Sequence, residues 1–182
     1  MTFGQKPVAS LLTLAILLAA APHPGLAQPA AALGVATGFT SEGTVDAPID
    51  EVWKVWSTSD GYRKLGPAMA DVDLRLGGLI RSKYTAEGTL DDEGAIVNRI
   101  LAYEPMRMIA IQIARPPAGF PFEEAWRHPW TVITLTPEGA SRTHVRVTML
   151  GFGSDEESVR MRTFFERGNA ATIDVLRAAF SR

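Results

Sequence analysis

Cysteine is absent from this 182-residue chain, so no disulfide, thiolate nucleophile or thiolate metal ligand enters its chemistry. Histidine is scarce. Beyond the N-terminal region only His128 and His144 occur, far apart and without a carboxylate at ligand spacing, so no metal site and no cofactor is expected. A basic excess is also missing: 18 Lys and Arg stand against 20 Asp and Glu, for a formal charge of -2. Nucleic acid, whose affinity rests on neutralised phosphates, is therefore not an expected partner. No nucleophile elbow is present, and Gly151-Phe152-Gly153 lacks the surroundings of a phosphate-binding loop. No catalytic residue is assigned on this reading.

What remains is the composition of one ordinary globular domain, 46% hydrophobic and 21% charged. The first residues stand apart from it. Lys6 is followed by an apolar stretch from Val8 to Ala21, then by Pro22, Pro24, Gly25, Leu26 and Ala27. That stretch falls short of the roughly 20 residues that span a bilayer, and Gly25 and Ala27 occupy the two positions a signal peptidase reads. Residues 1–27 are thus expected to be a signal peptide cleaved near Ala27, and residues 28–38, rich in Ala and Gly, a flexible leader. No Arg pair precedes the apolar run and no Cys follows it to carry a lipid. The expectation is a periplasmic or secreted protein with no stable membrane anchor after cleavage.

Residues 39–182 carry the domain. Phe39 to Val45 reads as a first strand. Pro48 suits a first helical position, Asp50 and Glu51 suit the positive end of a helix dipole, and Ile49, Val52, Trp53 and Trp56 fall at helical spacing. Asp60-Gly61 is expected to interrupt this helix before a further turn over Tyr62 to Leu65. A period of two then takes over. Val72, Leu74 and Leu76, the Gly77-Gly78 turn, and Ile80, Ser82 and Tyr84 read as a hairpin with Tyr84 on the core phase. Ile96 to Tyr103, Ile109 to Ile113, Thr131 to Leu135 and Val145 to Met149 supply further strands, and His144 falls on the outward phase. Ser154 and Glu157 read as a capping box for the longest element, a helix whose stripe includes Met161, Phe164, Phe165, Gly168, Thr172, Leu176 and Phe180. The fold class is α+β: a bent antiparallel sheet wrapped around a long C-terminal helix, with two short helices after the first strand.

The run from Val45 to Trp53, VDAPIDEVW, resembles the opening of the START-like superfamily, also called SRPBCC or helix-grip. Asp73 to Gly78, Gly94, Pro105 to Met108, and Leu135 to Gly139 followed by Thr143 are similar to landmarks of the branch named after the activator of a heat-shock-protein ATPase. The likeness covers roughly Phe39 to Phe180. It departs from that branch at Leu65-Gly66 and at Gly168-Asn169, where the branch usually carries tryptophan. The resemblance implies a pocket for a lipid, sterol, polyketide or aromatic molecule, and polyketide cyclase/dehydrase-like enzymes are among the relatives it implies.

A straight helix and a bent sheet diverge along their length, so a pocket is expected between them. Its expected lining is Tyr84, Ile111, Ile133, Met161, Phe164 and Phe165, with Trp126 near the entrance. Gly168 is expected where the helix approaches the sheet closely. Arg115 to Trp130, with four prolines and four large aromatics, is too long for a tight hairpin and reads either as a pocket lid or as a packed irregular loop. It also holds the nearest thing to an acid-base cluster, Glu123, Glu124, Arg127 and His128. Two functions follow: a binding protein for a hydrophobic small molecule, or a cyclase, dehydratase or hydrolase-like enzyme using acid-base residues at the pocket mouth.

Overall fold

A computed structural model describes residues 37–181; the expected signal peptide and all but the end of the leader lie outside the described residues. The elements run β1 (Thr37–Val45), α1 (Ile49–Ser57), α2 (Ser59–Arg63), β2 (Met69–Val72), β3 (Leu79–Lys83), β4 (Ile96–Glu104), β5 (Met108–Arg115), a 3-10 turn (Ala125–Arg127), β6 (Trp130–Pro137), β7 (Thr143–Phe152) and α3 (Glu156–Phe180). The strands form one antiparallel sheet in the order β1-β7-β6-β5-β4-β3-β2. Two edge strands that are consecutive in sequence, β1 and β2, stand at opposite ends, and α1 and α2 bridge them. This is the α+β helix-grip fold, with α3 as the closing helix.

Several local details differ from the pattern read in the sequence. Pro48 is the N-cap of α1, one position earlier than expected. The break after α1 falls at Thr58, whose hydroxyl accepts from the Gly61 amide and starts α2. Gly61 lies inside that helix, at a position where a Cβ would run into the Lys54 carbonyl oxygen. Val72 ends a strand rather than starting one. Asp73 to Gly78 turns irregularly, with the Gly77 amide donating to the Ile100 carbonyl, and Leu76 is 71% exposed. The weak alternation of β4 has a cause in its register, which shifts between Ile100 and Ala102.

The cap of α3 is Asp155, whose carboxylate accepts from the Ser158 amide at 2.9 Å and from its hydroxyl at 2.6 Å. Both carboxylate oxygens are engaged as acceptors, which favours the charged form and holds the Asp155 carboxyl below its usual range. Glu157 is thereby free for a different task, described below. The close approach of α3 to the sheet is made by Gly43 on β1, where a Cβ would stand 2.8 Å from Ile173 and closer still to the Arg177 guanidinium. At Gly168 a Cβ would meet nothing within 4 Å, so the close contact expected there does not exist.

Two apolar clusters form the interior. The larger joins α1 and α3 to the sheet through Val52, Trp53, Trp56, Ile80, Ile100, Ile109, Ile133, Val145, Ile173 and Leu176. The smaller gathers Phe39, Phe122, Ala125, Met149, Phe152 and Met161. Thr143 is fully buried and donates to the Ala47 carbonyl at 2.8 Å, which fastens the turn between β1 and α1 to β7. At about 25 cal/mol per Å² and roughly 150–250 Å² each, burying the two tryptophans of α1 stabilises the fold by at most about 4–6 kcal/mol each.

Candidate functional site

Between the inner face of the sheet and α3, where the two clusters fail to meet, lies a cavity of about 410 Å³. That is within the range of sites for small organic ligands, roughly 300 to 1,000 Å³. Its sheet wall comes from Ile96, Ile111, Ile113, Ile133, Val147 and Met149. The helix wall is one face of α3, made by Phe164, Phe165, Gly168, Asn169 and Thr172, whose spacing of three and four residues is that of a single helical stripe. Trp56, Tyr62 and Leu65 close one end, while Tyr84, Pro116, Pro117 and Phe120 form a rim. Gly168 contributes by having no side chain. The helix backbone faces open space there instead of the sheet.

Among the residues expected to line a pocket, Tyr84, Ile111, Ile133, Phe164 and Phe165 do so, and Trp126 and Met161 do not. Tyr84 is 64% exposed at the rim instead of buried in the core, because β3 ends at Lys83 and the chain turns outward. Met161 is fully buried in the smaller cluster, one turn too early along α3 to reach the cavity. Trp126 packs beside that cluster, donates from Nε1 to the Glu123 carbonyl and lies under the Arg127 guanidinium, 4.6 Å from its ring centre.

The loop between β5 and β6 serves as both rim and packed segment. Phe120 and Phe122 form edge-to-face contacts with Phe164 at 6.1 and 5.6 Å, and Phe164 and Phe165 meet at 5.3 Å. The Glu157 carboxylate accepts hydrogen bonds from three consecutive loop amides, those of Glu123, Glu124 and Ala125, and ties the loop to the first turn of α3. Gln112 on β5 holds the other side, donating to the Arg127 and His128 carbonyls. The charged group in this loop faces solvent. Glu124 pairs with Arg127 at 2.7 Å, a hydrogen bond that lowers the Glu124 carboxyl, and neither residue, nor Glu123 or His128, lines the cavity. His144 lies half-buried on β7 between Glu42 and Glu138, away from the cavity.

Polar groups that periodicity did not single out are the informative ones. Ser82 and Asn98 are buried on the neighbouring strands β3 and β4, and both line the cavity with Tyr62. The ring of Tyr62 is half-buried and its hydroxyl end is enclosed, so desolvation pushes the phenol up to about 12, with the nearby Tyr84 adding to the shift. On the opposite wall Asn169 Nδ2 is buried without a hydrogen-bond partner in the protein. A polar residue at position 169, four before Ile173 and four after Phe165, was the available signal: it falls between two apolar positions of one helix stripe. Among the described residues, no group of three or more His, Cys, Asp or Glu is arranged to hold a metal ion, and no helix is long and apolar enough to cross a membrane.

A curved antiparallel sheet closed by one long helix over an apolar cavity defines the SRPBCC, or START-like, class of proteins. Within it the chain belongs to the family described as Activator of Hsp90 ATPase homolog 1-like protein, whose model matches residues 46–181. Solved structures share the fold. Protein MLL2253 from Mesorhizobium loti is 17% identical, with a TM-score of 0.60 over 79% of this chain and 96% of that one. The Aha1 dimer from Colwellia psychrerythraea is 14% identical, with a TM-score of 0.56 over 80% and 99%. The di-domain ARO/CYC protein BexL of the BE-7585A biosynthetic pathway is 16% identical, with a TM-score of 0.61 over 79% of this chain and 46% of that one. No curated protein is a significant sequence match.

Proposed function

We propose that this chain is an exported binding protein that holds a hydrophobic small molecule between the sheet and the C-terminal helix. The observation that carries the reading is the cavity itself: about 410 Å³, walled mostly by aliphatic, aromatic and proline side chains, between the two apolar clusters of the domain. Burial of apolar ligand surface there supplies the affinity. Export rests on the N-terminal pattern, and intact mass of protein from the exported fraction tests it, a chain retaining Met1 to Ala27 being the contrary result.

Binding is tested with the uncharged fluorescent probe N-phenyl-1-naphthylamine, together with mass spectrometry of ligand copurified with the native protein. The wild-type chain should bind the probe saturably, and Gly168→Phe, which places a ring where a Cβ meets nothing, should abolish binding without unfolding the protein. Absence of binding by the wild-type chain, or undiminished binding by the variant, would overturn the reading.

The alternative is a cyclase-like enzyme, favoured by the structural likeness to an aromatase/cyclase. Acid-base chemistry inside this cavity would run through Tyr62, since the titratable side chains among its described lining residues are Tyr62 and Tyr84. With its phenol pushed up to about 12, Tyr62 stays protonated near neutral pH and acts there as a hydrogen-bond donor. Binding is the better supported of the two functions.

A further inference from the structure

We infer that the outer face of the sheet carries a second site, in which Arg81, Arg99 and Arg115 take a phosphate group. It lies across β3, β4 and β5 on the side away from the cavity, and it does not depend on the function proposed above.

Alternation along β3 and β4 builds most of it. Ser82, Ile96 and Asn98 line the cavity, so their neighbours Arg81, Val97 and Arg99 point to the other side. Arg115 does not belong there by alternation, being in phase with Ile111 and Ile113 of the cavity wall. The ladder between β4 and β5 slips at this point: Asn98 lies opposite Ile113, whereas Val97 lies opposite Arg115. Ala114 is the extra residue of the bulge, and both Ala114 and Arg115 line the outer depression. Bulges re-aim side chains in this way and are frequent beside binding sites. Arg81 and Arg115 thereby flank Val97, each in register with it from either side, and Arg99 stands two residues further along β4. The three surround a depression of about 270 Å³ whose apolar residues are Leu79, Val97 and Ala114.

The guanidiniums are oriented without all being neutralised. Arg81 pairs with Asp71 at 3.1 Å. Arg99 donates to the Gly77 carbonyl at 3.3 Å and Arg115 to the Asp92 carbonyl at 3.1 Å, and neither forms an ion pair among the described residues. A guanidinium has five N–H donors, so one bond fixes its direction and leaves the others for a ligand. Lys83, next on the same face of β3, is occupied by Asp92 at 2.8 Å. Asp91 is the acidic residue of the lining and is paired with none of the three arginines. Three positive side chains and one negative one therefore meet in a chain whose formal charge is -2. A carboxylate has two oxygens and suits a single guanidinium, whereas a phosphate group offers three acceptor oxygens and about two negative charges, which suits three converging arginines.

Free phosphate and a lipid phosphate headgroup share this chemistry, and two arms separate them. Inorganic phosphate is titrated into the full chain by calorimetry at low salt and about pH 8, above the second ionisation of a phosphate group. Phosphatidylcholine vesicles with and without phosphatidic acid are co-sedimented with the same protein. Saturable phosphate binding, or sedimentation that requires phosphatidic acid, is expected, and the arm that responds names the source. In that arm Arg99→Gln should weaken binding about tenfold and Asp91→Asn should strengthen it about threefold, a gain that damage to the fold does not produce. N-phenyl-1-naphthylamine should bind both variants as it binds the wild type, since neither residue lines the cavity. Binding absent from both arms, or unmoved in both variants, overturns the inference and leaves the proposed function standing.

Discussion

Replacing Glu157 with alanine removes the acceptor that three successive loop amides share. In the native fold one carboxylate oxygen serves Glu123 and Glu124, and the other serves Ala125 at 3.2 Å. Hydrogen bonds to a charged group contribute about 1.5–3 kcal/mol when buried and much less when water can take their place. Two of the three amides are solvent-exposed and the third is partly buried. The loss should therefore be about 2 kcal/mol for Glu157→Ala and about 1 kcal/mol for Glu157→Gln, which retains one carbonyl oxygen. In a domain of this size the alanine variant should unfold about 5 °C earlier.

A more local readout is available. Between Arg115, which precedes a proline and so resists trypsin, and Trp130, the loop has a single Lys or Arg, Arg127. Cleavage after Arg127 then reports loop opening, and freeing about 2 kcal/mol should accelerate it at least about tenfold. The probe should also bind more weakly, because Pro116, Pro117 and Phe120 of this loop form the cavity rim. If Glu157→Ala were cut at the wild-type rate and unfolded within about 0.5 kcal/mol of wild type, within the scatter of neutral surface substitutions, the carboxylate would not be holding the loop.

Three further outcomes are expected. Met161→Ala should cost about 2–5 kcal/mol in urea unfolding while probe affinity is unchanged, since Met161 is fully buried in the smaller cluster and away from the cavity; a selective loss of binding would place it in the site after all. Tyr62 has its phenol raised from 10.0 to about 12 in the fold, so the fold favours the neutral form and its contribution is fully present below pH 10 and lost as pH rises toward 12. Urea midpoints of Tyr62→Phe should accordingly fall less steeply over that interval than those of the wild type, and parallel curves would contradict the enclosed phenol. Gly168→Ala should stabilise the protein by about 0.5–1 kcal/mol, because the added methyl meets no atom and the helix loses a flexible residue; a destabilised variant would mean that the backbone there touches more than the open cavity.

The architecture was legible because burial on one face imposes a period that the residues display. Val145, Val147 and Met149 are all buried on β7, and the spacing of Met161 and Leu176 correctly put one face of α3 inward. Alternation misled where the chain alternates without pairing: Leu74 and Leu76 continue the phase of Val72, yet they lie in an irregular turn whose amides bond elsewhere. Periodicity also says that a side chain is buried without saying against what, which is why Met161 was expected in the cavity lining although it belongs to a packed cluster. The capping signal was ambiguous in a similar way. Ser154 with Glu157 and Asp155 with Ser158 have the same spacing, and the carboxylate prevails by accepting two bonds from one residue. Gly43 makes the close helix–sheet contact that seemed to belong to Gly168, because approach depends on where α3 crosses β1, which no local pattern encodes.

The placement of β1 beside β7 has a consequence for how the chain must assemble. Every other neighbouring pair in the sheet joins strands that follow one another in sequence, whereas Thr44 lies opposite His144, a hundred residues later. The first strand of the domain to be synthesised is thus the last to gain its ladder, and a nascent chain ending before residue 143 contains nothing for it to pair with. Until β7 arrives, Val45 and Gly43 have neither their strand partner nor the helix that covers them, since α3 follows later still. Loop-closure entropy for this pairing is met only at the end, in a sheet whose other ladders all join strands adjacent in sequence.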